Sequence, residues 1–541
     1  MVIRLFKRLP AAAVVLSVVA LGVGTTVALS DDNPQPIDIT HNVSDAPAPV
    51  ASTDWASGPP VKTGTALCTT PTQAGANVNT DCETNGPHNE TSIAVNPTNT
   101  QNMIGGANDY QLSVNPGGHV GETILSRAHV TFDGGRTWAE YPLYSNSTYQ
   151  ATGDPALAFD ATGHAYYATL GFRFVGSSNA SNPDVLVANS GDGGKTWNVS
   201  RVAAGSGVET SVGELLDKEY VAAWGSGNAI VTYGDFSDVQ KGVTVSAHLY
   251  SSVTHDFGKT WSKPTLISGS LAAAFVATPT VAADGSIYTS FLNTTDGTTG
   301  RDDYEVVKLS PATGAPLSAP VKVATVIDGF TDYPIAFGRQ TYQDSVFRTW
   351  AAGDITADPQ HAGHLAVVWS DMRNSVTPAP SDPYTAKTNS DVVVSESTDG
   401  GRTWSAPTAI TLPGDQFMPW GAFDGSGTLR IGFFDRSVDP ANHQYGYTLA
   451  TETGPGAFSE APVTTALSDP TMNDRWFART LNSAFPNATA FLGDYSNIAA
   501  IPHSSNGVVA YWTDMRVENC WPSGPGCGRH GEDAFFAKVG S

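Results

Sequence analysis

The sequence predicts an all-β fold made of seven repeats, each with four short strands, and three observations predict it. Seven segments of alternating apolar and polar residues recur along the chain, and each reads as two short strands joined by a turn. An eight-residue turn motif recurs between these segments. The composition also fits, because 541 residues include 54 Gly, 35 Pro and only 15% charged residues, with 40% hydrophobic residues to fill a large core.

The amino terminus predicts export. Three positive charges within residues 1–8 precede an uncharged, mostly apolar stretch from Leu9 to Ser30, and two aspartates follow. This order is typical of a signal peptide over residues 1–30 that is cleaved near Ser30. The alternative is a retained membrane anchor, because the stretch is just long enough to span a bilayer. We expect a secreted protein with no membrane association after cleavage.

Residues 31–85 are rich in Pro, Ala, Ser, Thr and Asp and lack sustained periodicity, so they predict a spacer before a single domain over residues 86–541. The four cysteines lie in two local pairs, Cys68 with Cys82 and Cys520 with Cys527. An even number of closely spaced cysteines in an exported chain predicts two short-loop disulfides.

The eight-residue motif has the pattern Ser/Thr-x-Asp-x-Gly-x-Thr-Trp. Its four clear copies are Thr131–Trp138, Ser190–Trp197, Thr254–Trp261 and Ser397–Trp404. The hydroxyl and the carboxylate can accept backbone N–H groups across a turn, the glycine takes a positive φ, and the tryptophan packs between sheets. The motif is therefore predicted to be structural, with no catalytic role for its aspartates.

The two-strand segments begin at regular intervals, at Glu90, Asp154, Asp217, Thr278, Asp354, Phe417 and Asp494. Units of roughly 60–75 residues with four short strands are typical of β-propeller blades. We therefore predict a β-propeller of seven four-stranded blades, with six blades as the alternative. The last unit ends at Asp533-AFFAKV without a fourth strand, so we expect it to borrow one from the segment before Glu90 and so cover its open edge.

The four motifs resemble the Asp-box (BNR) repeats of the sialidase superfamily, and the resemblance covers about residues 88–541. It implies a β-propeller and a secreted glycoside hydrolase similar to exo-α-sialidases, which removes terminal acidic sugars from glycans at the funnel of the propeller. Sialidases of this type have six blades. The Phe/Tyr-Arg-Ile-Pro motif that carries the family's first clamp arginine does not occur here. A non-catalytic propeller that binds cell-surface glycan or protein therefore remains the alternative.

Propeller topology places the starts of first strands and the ends of second strands on the face opposite to the boxes, around the funnel. These positions form a polar ring: Glu90, Asp154, Asp217, Lys218, Glu219, Asp354, Asp494 and Tyr495 at strand starts, and Asp109, Tyr110, Arg173, Asp235, Asp371, Arg373, Asp435, Arg436, Asp514 and Arg516 at strand ends. Three of the arginines follow an aspartate in the segments WSDMR, FFDR and WTDMR. Because a guanidinium fork binds carboxylates bidentately, they predict a carboxylate site.

The resemblance implies a role for six of these residues. Arg373, Arg436 and Arg516 would clamp the sugar carboxylate, Tyr495 would be the nucleophile, Glu219 its base, and Asp154 the acid/base. Five of the six residues also have a structural alternative. The W-x-D-M-R segments of Arg373 and Arg516 can bridge blades, Asp154 can cap a strand start, Tyr495 can pack as an aromatic, and Glu219 can be solvated.

The charge of the chain limits its partners. With 28 Lys and Arg against 51 Asp and Glu, the net charge is −23, which disfavours nucleic acid as a partner. His88, His129, His364 and His503 have no partner at metal-ligand spacing in the sequence, so we expect no catalytic metal and no cofactor, with a structural calcium at Arg301-Asp302-Asp303 left open. The expected partner is a glycan or acidic carbohydrate, and the expected state is a monomer. A relative that acts on another acidic polysaccharide, as a lyase or hydrolase, is a third hypothesis.

Overall fold

The computed structural model places most of the chain beyond residue 75. The described residues are 66–67, 76–81, 87–114, 120–143, 149, 151–175, 179–180, 182–207, 215–236, 239–240, 243–244, 247–294, 302–327, 335–336, 339–340, 342–343, 345, 347–349, 352–375, 388–472, 492–518 and 530–540. The predicted signal peptide and all four cysteines lie outside them, so export and the two disulfides remain predictions. Within the described residues, no helix has the length and apolar character to cross a membrane.

The described strands form seven antiparallel blades, and in each blade successive strands pair from the inner edge to the outer edge. Blade 1 consists of His88–Val95, Met103–Val114, Val120–Thr131 and Ala139–Pro142, and Ala66–Leu67 adds a fifth, outermost strand. Blade 2 consists of Ala151–Phe159, Ala165–Phe172, Asp184–Ser190 and Asn198–Ala203. Blade 3 consists of Leu216–Trp224, Asn228–Asp235, His248–Thr254 and Thr265–Leu266. Blade 4 consists of Ala274–Val281, Ile287–Asn293, Asp302–Leu309 and Val321–Val326.

The remaining three blades follow the same order. Blade 5 consists of Asp354–Ala357, Leu365–Asp371, Asp391–Ser397 and Thr408–Ile410. Blade 6 consists of Gln416–Phe423, Leu429–Asp435, Gly446–Gly454 and Ala457–Pro462. Blade 7 consists of Asn497–Ala500, Val508–Asp514, Asp533–Val539 and Val78–Asn79. The described part of the chain also contains three two-stranded ribbons in loops, at Phe174–Val175 with Asn179–Ala180, Val239–Gln240 with Val243–Thr244, and Ile335–Ala336 with Arg339–Gln340, and one 3₁₀ turn at Pro470–Met472.

The inner strands of successive blades pack against one another around a closed ring, from blade 1 to blade 7 and back to blade 1. This confirms the prediction of an all-β propeller with seven four-stranded blades, and the six-bladed alternative is wrong. The number of repeats in the sequence equals the number of blades because each two-strand segment supplies the two inner strands of one sheet.

The ring closes with a strand from the amino-terminal side, as predicted. Val78–Asn79 pairs antiparallel with the third strand of blade 7, with Val78 opposite Phe536, and the Thr80 N–H donates to the Ala534 carbonyl at 2.9 Å. Ala66–Leu67 similarly pairs with the outer strand of blade 1. Two short segments of the predicted spacer therefore belong to blades. Both edges would otherwise present unpaired backbone groups.

The eight-residue motifs lie between the third and fourth strands of blades 1, 2, 3 and 5 and form the predicted turn. In blade 1 the Asp133 carboxylate accepts the backbone N–H groups of Arg136 and Thr137 at 3.0 and 2.9 Å, and the Thr137 hydroxyl at 2.7 Å. The Trp138 indole donates to the Gly135 carbonyl at 3.1 Å. The aspartates thus hold the turn together from inside, which supports a structural role.

Candidate functional site

Five inner strands carry a bulge at the same level, close to the funnel. The register of the inner strand against its neighbour shifts in blades 1, 2, 3, 4 and 6. Each bulge contains a non-glycine residue with positive φ: Glu90 at 54°, Asp154 at 57°, Lys218 at 56°, Val276 at 55° and Met418 at 50°. Such a backbone is costly for these residue types, and bulges of this kind re-aim side chains at functional sites.

Three of the bulges bring charged side chains together at the axis. The Lys218 ammonium lies 3.1 Å from Asp154 Oδ2, 2.8 Å from Asp494 Oδ2 and 3.8 Å from Glu90 Oε1. A guanidinium nitrogen of Arg348 lies 2.7 Å from Asp494 Oδ1 and 3.7 Å from Glu90 Oε1. Because these residues come from blades 1, 2, 3 and 7 and from the segment before blade 5, they meet only at the centre of the ring. We call these five residues the axial cluster.

The axial cluster is buried, and its electrostatics follow from that burial. Burial alone would lower the pKa of Lys218, but the neighbouring carboxylates, Asp154 foremost, outweigh it and raise that pKa well above its usual value. Burial raises the pKa of Glu90, and the Asp154 carboxylate raises it further. Asn108 fixes two members, since its side-chain amide donates to Glu90 Oε2 at 3.0 Å and its Oδ1 accepts the Asp154 backbone N–H at 2.7 Å.

Glu219 lies beside this cluster and differs from its other carboxylates. It is 2% exposed, and neither of its carboxylate oxygens has a hydrogen-bond partner among the described residues. Burial, followed by the charge of Asp154, raises the pKa of Glu219 well above its usual value. Burial favours the neutral form of such a carboxyl group, whereas Asp154 is paired with the Lys218 ammonium. The two carboxyl groups therefore have different electrostatic surroundings at one site.

Tyr495 lies between the axial cluster and a cavity on the axis. The Lys218 ammonium is 5.6 Å from the centre of its ring, and its hydroxyl donates to the Pro155 carbonyl at 3.2 Å. Tyr220 lies between Tyr495 and Trp420, with ring centres 5.8 and 5.9 Å away, respectively. The inner strands of all seven blades line the cavity, which has a volume of about 270 Å³. Burial raises the pKa of Tyr495 well above its usual value, and the Glu90 charge adds to this effect.

The two W-x-D-M-R segments form the same local ion pair. In blade 5 the Arg373 guanidinium donates to Asp371 Oδ1 and Oδ2 at 2.7 and 2.6 Å. In blade 7 Arg516 donates to Asp514 at 2.8 and 2.6 Å, and the Trp512 indole donates to the same carboxylate at 2.9 Å. Each guanidinium fork is therefore engaged by a carboxylate of its own blade.

Arg436 has a different environment. It is fully buried, donates to the carbonyls of Gln343 and Asn442 at 2.8 and 3.2 Å, and lies 3.3 Å from Asp415 Oδ2. The contacts described for the three predicted clamp arginines go to three different carboxylates. By contrast, Tyr495, Glu219 and Asp154 do lie together, so the structure brings half of the predicted site to one place.

Other members of the predicted polar ring make structural contacts within or between blades. Arg173 pairs with Asp184 at 3.3 Å, and Asp435 accepts the Thr448 hydroxyl at 2.8 Å. Asp354 accepts the Gly421 N–H of the next blade at 2.8 Å. The side chain of Tyr110 lies outside the described residues.

Sequence reasoning missed the two cations of the axial cluster as functional candidates. The strand pattern places Lys218 in the polar ring but predicts no role for it, and Arg348 lies in the segment before blade 5, outside the repeated strand pattern. An Asp-Lys-Glu run at a strand start was the one available signal for Lys218.

Among the residues that the structure describes, two groups of histidines and carboxylates have ligand atoms close enough to share a metal ion: Asp358, His361 and His364 in blade 5, and Asp81, His88 and Asp533 at the junction of blades 7 and 1. Sequence spacing missed the second group because its members are distant along the chain. In the first, both nitrogens of His364 are engaged at 2.9 Å, by Asp358 and by Glu396. At the loop considered for calcium, Asp303 pairs with Lys322 at 2.7 Å. The expected absence of a catalytic metal remains a prediction.

No family model and no curated protein match the chain. Among solved structures, a protein of unknown function from Dyadobacter fermentans is similar with a TM-score of 0.43 and 10% identity, covering 86% of this chain and 98% of its own. A variant of the NanB sialidase from Streptococcus pneumoniae has a TM-score of 0.42 and 7% identity over 84% and 93% of the two chains. An α-L-arabinofuranosidase from Fusarium graminearum has a TM-score of 0.40 and 14% identity, covering 85% of this chain and 97% of its own. Function therefore rests on the chemistry of the axial cluster and its neighbours.

Proposed function

We propose that the chain is an exported glycoside hydrolase whose reaction centre lies where Glu219 and Tyr495 meet the axial cluster. The observation that carries this proposal is the pair of carboxyl groups in different surroundings, Glu219 without a hydrogen-bond partner among the described residues and Asp154 paired with Lys218. Glycosidases use such a pair, with a protonated carboxyl group that donates to the leaving oxygen and a carboxylate that acts on the other side of the sugar.

In this proposal Glu219 is the proton donor and Asp154 is the charged partner. Asp154 is paired with the Lys218 ammonium, while burial raises the pKa of Glu219 and so favours its protonated form. The nucleophile role of Tyr495 remains a prediction from the resemblance. Its hydroxyl donates to the Pro155 carbonyl, so a nucleophilic Tyr495 would have to exchange this hydrogen bond for one to a base.

The charge at the site favours a neutral sugar. The two cations of the site are already paired with carboxylates: Lys218 lies 3.1 Å from Asp154 and 2.8 Å from Asp494, and Arg348 lies 2.7 Å from Asp494. A carboxylated sugar would have to displace one of these carboxylates to reach a cation. Cleavage of a sialoside, the alternative substrate, requires Arg373, Arg436 and Arg516 to exchange their present carboxylate partners for the sugar carboxylate.

A panel of fluorogenic aryl glycosides tests the proposal. The full chain is assayed against neutral substrates, such as an aryl galactoside, glucoside and arabinofuranoside, and against an aryl sialoside. We expect turnover of a neutral glycoside, which falls about 10²–10⁴-fold in Glu219→Gln and in Asp154→Asn. The matched control is Glu305→Gln, because this half-buried carboxyl group in blade 4 accepts a hydrogen bond from Asn293 at 2.6 Å and lies away from the axis.

The pH profile separates a catalytic role from a structural one. If Glu219 donates a proton, activity falls as pH rises through its pKa, and this alkaline limb is absent from the residual activity of Glu219→Gln. If the unaltered chain cleaves the sialoside, and Arg373→Lys and Arg516→Lys do not, the proposed substrate is an acidic sugar and not a neutral one. If the chain cleaves none of these glycosides but binds glycans on an array, the enzyme proposal is wrong and the non-catalytic glycan-binding propeller is supported.

A further inference from the structure

The seam where the ring closes contains a second group of buried titratable residues, which the proposed function does not use. Asp81 follows the amino-terminal strand Val78–Asn79, Asp533 begins the third strand of blade 7, and His88 begins the inner strand of blade 1. These residues are buried, with 9%, 2% and 0% of their surface exposed, respectively. We call these three residues the seam cluster.

The ligating atoms of the seam cluster converge. One atom from each residue lies within 4.8 Å of the other two. His88 Nδ1 is 3.2 Å from Asp81 Oδ2, yet it makes no hydrogen bond, and Asp533 Oδ2 accepts none. Two ligands on one tetrahedral zinc ion, with bonds of about 2.0–2.1 Å, lie about 3.3 Å apart. The separation of the two atoms is therefore that of neighbouring metal ligands.

A carboxylate also lies beside the other nitrogen of the imidazole. His88 Nε2 lies 3.2 Å from Asp109 Oδ1, and the second oxygen of Asp109 lies 3.2 Å from Arg127 Nε. A carboxylate behind a ligating histidine fixes its tautomer and turns the opposite nitrogen towards the metal. Here that arrangement points Nδ1 at Asp81 and Asp533.

The charge around the seam is unbalanced. Four buried carboxyl groups interact there, those of Asp81, Asp109, Glu140 and Asp533. Arg127 pairs with Asp109 at 3.2 Å and with Glu140 at 2.8 Å. With the imidazole of His88 counted as a second cation, four carboxyl groups face two cations, and Asp81 and Asp533 lie on the side away from Arg127. A cation between these two residues would balance the remaining negative charge.

We propose that Asp81, His88 and Asp533 bind a divalent transition-metal ion that holds the amino-terminal strand on the last blade. Two carboxylates and one imidazole suit Zn²⁺, whereas Ca²⁺ prefers oxygen ligands alone. Because Asp81 and Asp533 are far apart in the chain, the ion binds only when the ring closes, and its binding free energy adds to the stability of the closed ring.

Metal analysis of the full chain tests this inference. Protein prepared without chelator, equilibrated with Zn²⁺ and then dialysed is expected to contain about one ion per chain at the seam. The affinity for Zn²⁺ is expected to fall about 100-fold or more in Asp533→Asn and in His88→Gln. The matched control is Asp358→Asn, which alters the other Asp–His group and leaves the seam ion in place.

A measurement on the unaltered chain covers the case in which these variants fail to fold. We expect the melting temperature to fall after chelation and to recover when Zn²⁺ is returned. If the chain binds no Zn²⁺ and melts at the same temperature with and without it, protons shared among the seam carboxyl groups balance the charge and the inference is overturned. Loss of the bound ion in Asp358→Asn, with retention in Asp533→Asn, would also overturn it.

Discussion

Replacing Lys218 with methionine tests the balance of charge at the axis. The substitution keeps an unbranched side chain of similar length and removes the ammonium that lies 2.8 Å from Asp494 and 3.1 Å from Asp154. Lys218 is 1% exposed, so water does not replace the lost charge. Among the described contacts of the axial cluster, Arg348 is then the remaining cation. Asp154 and Asp494 then remain buried without the positive charge that balances them in the unaltered chain.

The expected loss of stability is large for one side chain. Removing one partner of a buried ion pair costs about 3–5 kcal/mol. A propeller of about 450 residues unfolds with an entropy near 0.95 kcal/mol/K at its melting temperature, so the loss lowers that temperature by about 3–5 °C. Lys259→Met is the matched control, because Lys259 is exposed in the blade 3 turn, and we expect it to change stability by less than about 0.5 kcal/mol.

Scanning calorimetry at several pH values provides the assay. Without the ammonium, the folded-state pKa of the axial carboxyl groups lies above the unfolded value. The folded variant then binds more protons than the unfolded chain, and its stability falls as pH rises. The deficit of Lys218→Met relative to the unaltered chain should therefore shrink from pH 7 towards pH 5. A melting temperature within 1 °C of the unaltered chain at pH 7, or a deficit that does not change with pH, would refute this account.

Three further predictions concern the blades. Trp138→Ala should destabilise the fold by about 3–5 kcal/mol, because Trp138 is 1% exposed, whereas Trp261→Ala, at a partly exposed position, should cost clearly less in the same denaturant titration. His364 should stabilise the fold at low pH, because its hydrogen bond to a glutamate raises its pKa to about 9. Its contribution to stability is complete below the unfolded pKa of about 6.5 and is lost as pH rises through 9. The difference in melting temperature between the unaltered chain and His364→Gln, measured across this pH range, should show this loss. Arg516→Met should cost about 2–3 kcal/mol in urea unfolding, since it leaves a buried carboxylate without its bidentate partner.

Each of these predictions has a clear contrary result. Equal losses at Trp138 and Trp261 would mean that the box tryptophans contribute alike regardless of burial. A difference between the unaltered chain and His364→Gln that is the same at pH 6 and pH 10 would mean that the imidazolium contributes nothing. An unchanged urea midpoint for Arg516→Met would mean that Asp514 is satisfied by its indole and backbone donors alone.

Much of the architecture was predictable from local patterns. The spacing of the two-strand segments predicts seven blades because each segment supplies one inner strand pair, and the missing fourth strand after Asp533 predicts a borrowed one. The turn motif predicts its own hydrogen bonds because all its partners lie within eight residues. The ring of polar strand ends also contains most of the axial residues, because propeller topology alone brings strand starts to the funnel.

What side chains do within that ring was decided by the tertiary structure. The positive-φ bulges turn Glu90, Asp154 and Lys218 towards one another, and register shifts of this kind leave no mark in the alternation of residues. The same sequence pattern, an arginine shortly after an aspartate, gives a local ion pair at Arg373 but a fully buried cross-loop contact at Arg436.

The sequence by itself therefore determined the number of blades, the turns between strands and the means of closure, because those features depend on neighbours along the chain. Only the tertiary structure decided which charges meet. Lys218 meets Asp494, and His88 meets Asp533, across hundreds of residues. The energy of a charged group depends on its burial and on partners within a few ångströms, and neither quantity is carried by local sequence.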